Sequence, residues 1–206
     1  MKRCVIVGGA DILNYDEMKK YLGAEDFYIF CDCGLRHSEG LGVTPDLIVG
    51  DFDSSENPKL DVETIVLPCE KDDTDTVFAT KEAIKRGFGK FLILGAVGQR
   101  LDHTLGNVSI LKMLFDMGFE ALIADDYTEM QVVGNEPQYI DDSYPYFSLL
   151  NIFGKAQGIS IKNAKYPLEN AEITCDYQYG ISNEVLKGEK ARVQVESGNL
   201  LLVKVK

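Results

Sequence analysis

Two groups of aspartates in the first half of the chain have the residue type and spacing of a cation site. Asp51 and Asp53 belong to the segment Gly50-Asp51-Phe52-Asp53-Ser54, which directly follows the apolar run 47–49, and the segment Lys71-Asp72-Asp73-Thr74-Asp75 precedes a helical pattern. Unpaired like charges that come close together destabilise the fold unless a cation joins them. Mg²⁺ binds a few carboxylate oxygens and keeps the rest of its octahedron for water and phosphate. The sequence therefore favours a magnesium site to which both groups contribute.

The second group also has a simpler interpretation. A carboxylate before a helix accepts hydrogen bonds from free backbone N–H groups and interacts favourably with the positive end of the helix dipole. Taken alone, Asp72 or Asp73 is therefore typical of a helix N-cap.

A glycine-bearing loop between a predicted strand and a predicted helix offers a site for an anion. Gly95 and Gly98 permit close approach of the backbone, and Arg100 supplies a planar guanidinium suited to phosphate oxygens. His103 and Asn107 are four residues apart and so share one face of the helix. The loop predicts phosphate binding, although a lone histidine is more often a hydrogen-bonded helix residue than a catalyst.

The elements that position these residues are strands that alternate with helices. Short apolar runs that predict strands lie at residues 4–7, 27–31, 47–49, 64–67, 91–94 and 121–124. Helical patterns lie at residues 15–22, 76–86 and 103–117, the last with Leu101, Leu105, Val108, Leu111 and Leu114 at helical spacing. This alternation predicts an α/β domain over residues 1–127 with a mainly parallel sheet, which places Asp51 and Asp53 at the carboxyl end of a strand.

The remaining residues, 128–206, change to the period of two that is typical of strands. Ile159 and Ile161 show it, as do residues 173–179 and 193–195. The turn at residues 197–199 predicts a closing hairpin. We therefore expect a smaller all-β domain. Six of the ten tyrosines lie in it and a seventh stands at its boundary, and they either form an aromatic surface for a flat ring ligand or fill a sandwich core and its rim: Tyr127, Tyr139, Tyr144, Tyr146, Tyr166, Tyr177 and Tyr179.

The charge balance restricts the partners. Lys and Arg number 21 against 33 Asp and Glu, a formal net charge of −12. Such a chain is not expected to bind nucleic acid by neutralising phosphates, and it is not expected to bind an anionic membrane. A small phosphorylated ligand is compatible with this charge because a divalent cation supplies the positive charge that the side chains lack.

The five cysteines provide information about the cellular compartment of the protein. Their count is odd and they lack the spacing of a zinc site. We interpret them as reduced, mostly buried thiols of a cytoplasmic protein. No apolar stretch approaches the roughly 18 residues of a membrane span.

Five motifs follow one another along the chain. They are Cys31-Asp32-Cys33-Gly34, Pro45-Asp46 with Gly50-Asp51-Phe52-Asp53-Ser54, Lys71-Asp72-Asp73-Thr74-Asp75, Arg100-Leu101-Asp102-His103-Thr104 with Asn107, and Gly180-Ile181-Ser182-Asn183-Glu184. In this order they resemble the motif series of thiamine pyrophosphokinases. The resemblance covers nearly the whole chain. It implies a Rossmann-like nucleotide domain, a thiamine-binding β-sandwich, and a homodimer. It also implies the reaction, in which ATP and thiamine give thiamine diphosphate and AMP with Mg²⁺.

The resemblance also implies roles for individual residues. Asp51, Asp53, Asp72, Asp73 and Asp75 would handle magnesium and the triphosphate. Substrate binding is expected from Asp32, Asp46, Lys71, His103, Asn107, Ser182 and Asn183, the last two toward thiamine. Arg100, Asp73 and Asp102 are the expected catalytic residues, and either aspartate could accept the proton of the thiamine hydroxyl.

Other functions stay open at this level. One is a Mg²⁺-dependent phosphohydrolase, and another is a diphosphokinase for a different heterocyclic alcohol such as a pterin. A third is a regulator that binds a nucleotide or thiamine without catalysis. The products formed from ATP distinguish the three.

Overall fold

The computed structural model describes residues 2–52, 60–70 and 72–206, so Asp53 and Lys71 lie outside the described residues. The chain forms two compact units, Met1–Asp126 and Tyr127–Lys206. Among the described residues, no helix is both long enough and apolar enough to cross a membrane.

Six strands of the described residues form a parallel sheet in the first unit. They are β1 Arg3–Val7, β2 Phe27–Cys31, β3 Leu47–Gly50, β4 Glu63–Val66, β5 Lys90–Leu94 and β6 Glu120–Ala124. Their spatial order is β4-β3-β2-β1-β5-β6, and every neighbouring pair is parallel. The order of addition reverses between β1 and β5. Open α/β sheets bind ligands at such a switch point, outside the carboxyl ends of the strands.

Four α-helices accompany this sheet in the described part of the unit, together with a 3₁₀ helix at Asp32–His37. They are α1 Tyr15–Lys19, α2 Ser38–Leu41, α3 Asp75–Lys85 and α4 Leu101–Asp116. The predicted apolar stripe of α4 is correct only in part. Val108, Leu111 and Leu114 are buried, whereas Leu101 and Leu105 are 65% and 56% exposed.

The second unit contains seven strands in two antiparallel arrays. They are β7 Thr128–Val133, β8 Gln138–Asp141, β9 Tyr146–Leu150, β10 Ala156–Lys162, β11 Leu168–Ile173, β12 Lys190–Ser197 and β13 Leu200–Val205. One array has the order β7-β13-β9 and the other β11-β10-β12-β8. Both contribute to one apolar core, with Phe147 and Leu202 from the first array and Ile159 and Val193 from the second. The predicted fold class, an α/β unit followed by a β-sandwich, is confirmed.

The predicted closing hairpin is wrong. β12 pairs with β10 and β8, whereas β13 pairs with β7 and β9, so the turn between them carries the chain from one array to the other. Gly198 in this turn has a φ of +79°, and a Cβ atom there would lie 1.9 Å from the carbonyl oxygen of Lys155. Only glycine allows this close crossing.

Two smaller expectations also need correction. The period-two pattern of residues 173–179 does not continue as a strand, because β11 ends at Ile173 and Thr174 forms an isolated bridge with Tyr177. The cysteines are not mostly buried. All five are free thiols, but only Cys4 and Cys31 are buried, whereas Cys33, Cys69 and Cys175 are exposed.

Candidate active site

A cavity of about 610 Å³ opens at the switch point of the parallel sheet. The loop after β1 contributes Gly9 and Ala10 to its lining, and the loop after β5 contributes Gly95 and Ala96. Eight residues with a predicted role line it: Asp32, Asp51, Asp72, Asp73, Asp75, Arg100, His103 and Asn107. Residues that are distant in sequence converge here because they follow the carboxyl ends of neighbouring parallel strands or lie near the starts of α3 and α4.

The loops after β1 and β5 are joined directly through their backbones. The N–H of Gly8 donates to the carbonyl oxygen of Leu94 at 2.8 Å, and the N–H of Ala10 donates to that of Gly95 at 2.9 Å. Gly95 has a φ of +58°, and a Cβ atom there would lie 2.3 Å from the carbonyl oxygen of Gly8. The predicted close approach of the backbone at Gly95 therefore serves contact between two loops of the protein.

The N-terminus of α3 carries one side of the acidic lining. Its N-cap is Thr74, whose side chain accepts a hydrogen bond from the N–H of Val77 at 3.3 Å. The alternative prediction of Asp72 or Asp73 as the N-cap is therefore wrong. A carboxylate or a phosphate near this helix end interacts favourably with the helix dipole.

Asp73 has a cationic partner within its own segment of the chain. The ammonium group of Lys81, two turns along α3, donates to both carboxylate oxygens of Asp73, at 2.9 and 2.7 Å. The side chains of Lys81 and Asp73 are 54% and 32% exposed. Because the pair is partly exposed, it contributes little to stability, on the order of 1 kcal/mol or less.

Asp32 lies at the start of the 3₁₀ helix, directly after β2, and is buried. Its φ is +26°, which is an unusual conformation for a residue other than glycine. Such backbone strain is more frequent at functional sites than elsewhere. Asp51, which follows β3, completes the acidic part of the lining.

The loop that leads into α4 is fixed by side chains of that helix. The amide of Asn107 is buried and donates to the carbonyl oxygen of Ala96 at 2.8 Å, while the N–H of Gly98 donates to the hydroxyl of Thr104 at 3.2 Å. Asn107 thus shapes the cavity through the backbone of the loop.

Arg100 lines the cavity and forms a two-point ion pair with Asp102, at 2.9 and 2.7 Å. Asp102 itself is not among the lining residues. The guanidinium of Arg100 holds the pKa of Asp102 well below its ordinary value. A carboxylate with such a low pKa is a weak proton acceptor near neutral pH.

Asp46 lies outside this cavity. It precedes β3, so it belongs to the amino edge of the sheet, opposite the edge at which the cavity opens. Its carboxylate accepts a hydrogen bond from the N–H of Tyr28 at 2.8 Å, and its own N–H donates to the carbonyl oxygen of Tyr28 at 2.9 Å. Asp46 therefore joins the starts of β2 and β3.

Ser182 and Asn183 belong to the second unit, where they differ in accessibility. Ser182 is exposed and has a φ of +59°. Asn183 is buried, and its amide oxygen accepts from the N–H groups of Tyr166 and Glu184 at 3.0 and 2.9 Å. Its amide nitrogen donates to the carbonyl oxygen of Tyr166 at 2.7 Å. These contacts occupy the side chain of Asn183 within the β-sandwich.

The tyrosines of the second unit do not fill its core. All of the seven except Tyr144 are exposed. The rings of Tyr177 and Tyr179 lie 5.3 Å apart between centroids. The unit therefore presents an aromatic surface of the kind that a flat ring can contact.

Arg36 and Asp11 line the cavity, and the sequence did not single them out. The guanidinium of Arg36 donates to Asp11 at 2.7 Å and to the carbonyl oxygen of Gly9 at 2.6 Å. The available signal was the position of Arg36, which stands two residues after the motif 31–34 that begins at the end of a predicted strand.

Within the described ranges, no three His, Cys, Asp or Glu side chains are already grouped to hold a metal ion. Mg²⁺ does not need such a group, because it keeps several water ligands and uses one or two carboxylates together with phosphate oxygens. The lining supplies carboxylates at Asp51, Asp72, Asp73 and Asp75. This donor set fits magnesium.

Two family models match the chain in succession. The catalytic domain of thiamin pyrophosphokinase matches residues 18–123, and the vitamin B1 binding domain of thiamin pyrophosphokinase matches residues 136–200. The first match alone spans more than half of the 206 residues.

Individual proteins are similar over nearly the whole chain. Thiamine pyrophosphokinase from Bacillus subtilis (strain 168) is 27% identical over 194 residues, which is 90% of this chain and 91% of that protein. The crystal structure of thiamin pyrophosphokinase from Geobacillus thermodenitrificans aligns with a TM-score of 0.85 and 26% identity, covering 99% of this chain and 97% of the other. The crystal structure of the Bacillus subtilis enzyme aligns with a TM-score of 0.86 and 24% identity, covering 100% and 99%.

Proposed function

Because this chain belongs to the thiamin pyrophosphokinase family, we propose that it transfers the β,γ-diphosphate of ATP to the hydroxyl of thiamine, giving thiamine diphosphate and AMP. The protein is a kinase-type transferase of thiamine diphosphate synthesis. The proposal rests on one observation. Both domains of the family match in succession along the chain, and the cavity at the switch point of the sheet is lined with aspartates.

The cavity is the proposed site of the triphosphate. Arg100 and His103 would contact phosphate oxygens from the α4 side. The N-terminus of α3 would offer backbone N–H groups to the same anion. Asp32 lines the same cavity and would contact the nucleotide, whereas Asn107 would act by fixing the loop at Ala96. Since little covalent chemistry is required of the protein, most of the rate would come from positioning and charge neutralisation.

Magnesium is the proposed metal, held by Asp51, Asp72, Asp73 and Asp75 in the described part of the site, with Asp53 as a further predicted ligand. When bound, Mg²⁺ neutralises phosphate charge and orients the transferred group. The carboxylates repel a bare triphosphate, so the same residues that bind the metal make ATP binding depend on it.

The proposed acceptor for the hydroxyl proton of thiamine is Asp73. It lines the cavity, whereas Asp102 does not and has a pKa held low by Arg100. Asp102 would instead restrain Arg100 at the cavity edge.

The second unit is proposed to bind thiamine. Its match to the vitamin B1 binding domain supports this assignment, and its exposed tyrosines offer surface for the aromatic rings of thiamine. Ser182 is accessible and would contact thiamine directly. Asn183 would support the segment that carries Ser182. We further propose that the protein works as a homodimer in the cytoplasm.

The direct test is incubation of the full chain with ATP, Mg²⁺ and thiamine, followed by chromatography. We expect AMP and thiamine diphosphate in equal amounts, and neither product in a parallel reaction with a chelator. Phosphate release from ATP without thiamine would indicate a hydrolase. AMP formation only with another alcohol would indicate a different acceptor, and saturable binding without any AMP would indicate a regulator.

A further inference from the structure

Arg36 is a second arginine of the cavity, and the function described above leaves it without a role. It extends from the 3₁₀ helix after β2 to the loop after β1, where it contacts Gly9 and Asp11. That loop is hydrogen-bonded through Ala10 to Gly95, in the loop that leads to Arg100. Arg36 therefore lines the cavity from the 3₁₀ helix, where it contacts the loop after β1, and Arg100 lines it from the end of the loop after β5.

Among the described residues, six aspartates line the cavity of the first unit, together with the two arginines Arg36 and Arg100. The aspartates are Asp11, Asp32, Asp51, Asp72, Asp73 and Asp75. An anionic ligand must find its direct side-chain contacts among the few cationic groups of such a lining. Arginine suits phosphate because its planar fork of donors matches two phosphate oxygens at once.

Asp11 is one of three contacts of Arg36, beside the carbonyl oxygen of Gly9 and Nε2 of His37 at 3.3 Å, and it does not hold the side chain firmly. The side chains of Arg36 and Asp11 are 50% and 63% exposed, so their ion pair is weak. Arg3 makes the contrast clear, since its partner Asp26 is only 6% exposed and accepts two hydrogen bonds from it. A phosphate group carries more charge than a carboxylate and can replace Asp11 as the partner of Arg36.

The loop after β1 also has a second support. Nδ1 of His37 lies 2.8 Å from the hydroxyl of Tyr15, and Nε2 lies 3.0 Å from the carbonyl oxygen of Ala10. Burial lowers the pKa of His37, which favours the neutral ring. The loop is therefore held by His37 as well, and Arg36 is able to leave Asp11.

We infer that Arg36 is a substrate-binding residue of this site, which exchanges Asp11 for phosphate oxygens of the nucleotide when MgATP binds. The inference rests on the proposed function, because it assigns Arg36 to the same nucleotide. Arg36 and Arg100 would then hold the phosphate groups from two different segments of the chain.

The test compares MgATP binding by calorimetry and steady-state kinetics in the full chain and three variants. We expect Arg36→Gln to raise both the Kd and the KM for MgATP about tenfold or more while the KM for thiamine stays unchanged. Arg36→Lys keeps the charge without the fork and should recover part of the affinity. Asp11→Asn removes the competing carboxylate and should tighten MgATP binding roughly two- to fivefold.

Arg192→Gln is the matched control, because it makes the same chemical change at a residue that does not line the cavity. A Kd for MgATP within twofold of wild type in Arg36→Gln would overturn the inference. So would weaker binding in Asp11→Asn, because it would mean that the pair only supports the loop. If Arg36→Gln does not fold, Arg36→Lys and Asp11→Asn decide by the same criteria. Wild-type protein that forms no thiamine diphosphate would instead contradict the proposed function.

Discussion

Lys81 donates hydrogen bonds to both carboxylate oxygens of Asp73, at 2.9 and 2.7 Å, and so pairs one aspartate of the candidate site with a cation of α3. Asp73 therefore has two properties that can be tested separately. The carboxylate is part of the proposed chemistry, whereas its ion pair is a partly exposed contact of small energetic value. Substitutions at the two positions should therefore have different consequences.

Asp73→Asn is expected to abolish turnover and leave the fold intact. The amide neither binds Mg²⁺ as a carboxylate does nor accepts a proton, so we expect kcat to fall about 100-fold or more. Loss of the ion pair should lower the melting temperature by no more than about 4 °C. Chromatographic assay and circular dichroism measure the two effects, and a folded variant with wild-type turnover would refute the assigned role.

Lys81→Met is expected to strengthen metal binding. The ammonium occupies both oxygens of Asp73, so a metal that uses this carboxylate must displace it or share it. We expect the dissociation constant for Mn²⁺, titrated by electron paramagnetic resonance in place of Mg²⁺, to fall roughly two- to fivefold. Lys85→Met is the control, since Lys85 lies on the same helix and pairs with Glu82. Equal effects in both variants would show that the change comes from net charge alone.

Asp102→Asn tests the ion pair between Asp102 and Arg100 through the pH dependence of protein stability. The pKa of Asp102 is lowered in the folded protein, chiefly by its hydrogen bonds to Arg100. A lowered pKa gives stability that is present above the unfolded pKa of about 3.9 and is lost as the pH falls through the lower folded value. The difference in melting temperature between wild type and variant should therefore be constant from about pH 5 upward and shrink only in stronger acid. A difference that changes near pH 7 would contradict this assignment.

Glu129 stabilises the second unit through a buried pair. Its carboxylate contacts the ammonium of Lys204, which stands opposite it in the β7–β13 register, and accepts a hydrogen bond from the hydroxyl of Tyr144 at 2.7 Å. Glu129→Ala leaves both partners without this acceptor and should lower the free energy of unfolding by about 3 kcal/mol. Urea denaturation measures the loss. The double variant Glu129→Leu with Lys204→Met should lose clearly less, and an equal loss would show that packing rather than charge is responsible.

Much of the fold could be predicted because its signals are local. Apolar runs and helical spacing depend on near neighbours in the chain, and they located the six strands of the first unit and the helices α3 and α4. Which strands pair is not local. The turn at Gly198 has the sequence of a hairpin, but its flanking strands belong to different arrays, because each completes a sheet with strands from earlier in the chain.

The candidate site, like the fold, could be predicted only in part. The sequence by itself determined which residue types follow the carboxyl ends of the strands, and so it predicted that Asp51 and the acids before α3 would converge on one site, whose lining also includes Arg100. The tertiary structure decided which side chains are partners: Lys81 for Asp73, Asp102 for Arg100, and Asp11 for Arg36. It also placed Asp46 at the opposite edge of the sheet. Strand direction decides the edge at which Asp46 lies, and the contact between separate segments brings Arg36 to Asp11; neither is encoded in the spacing of residues along the chain.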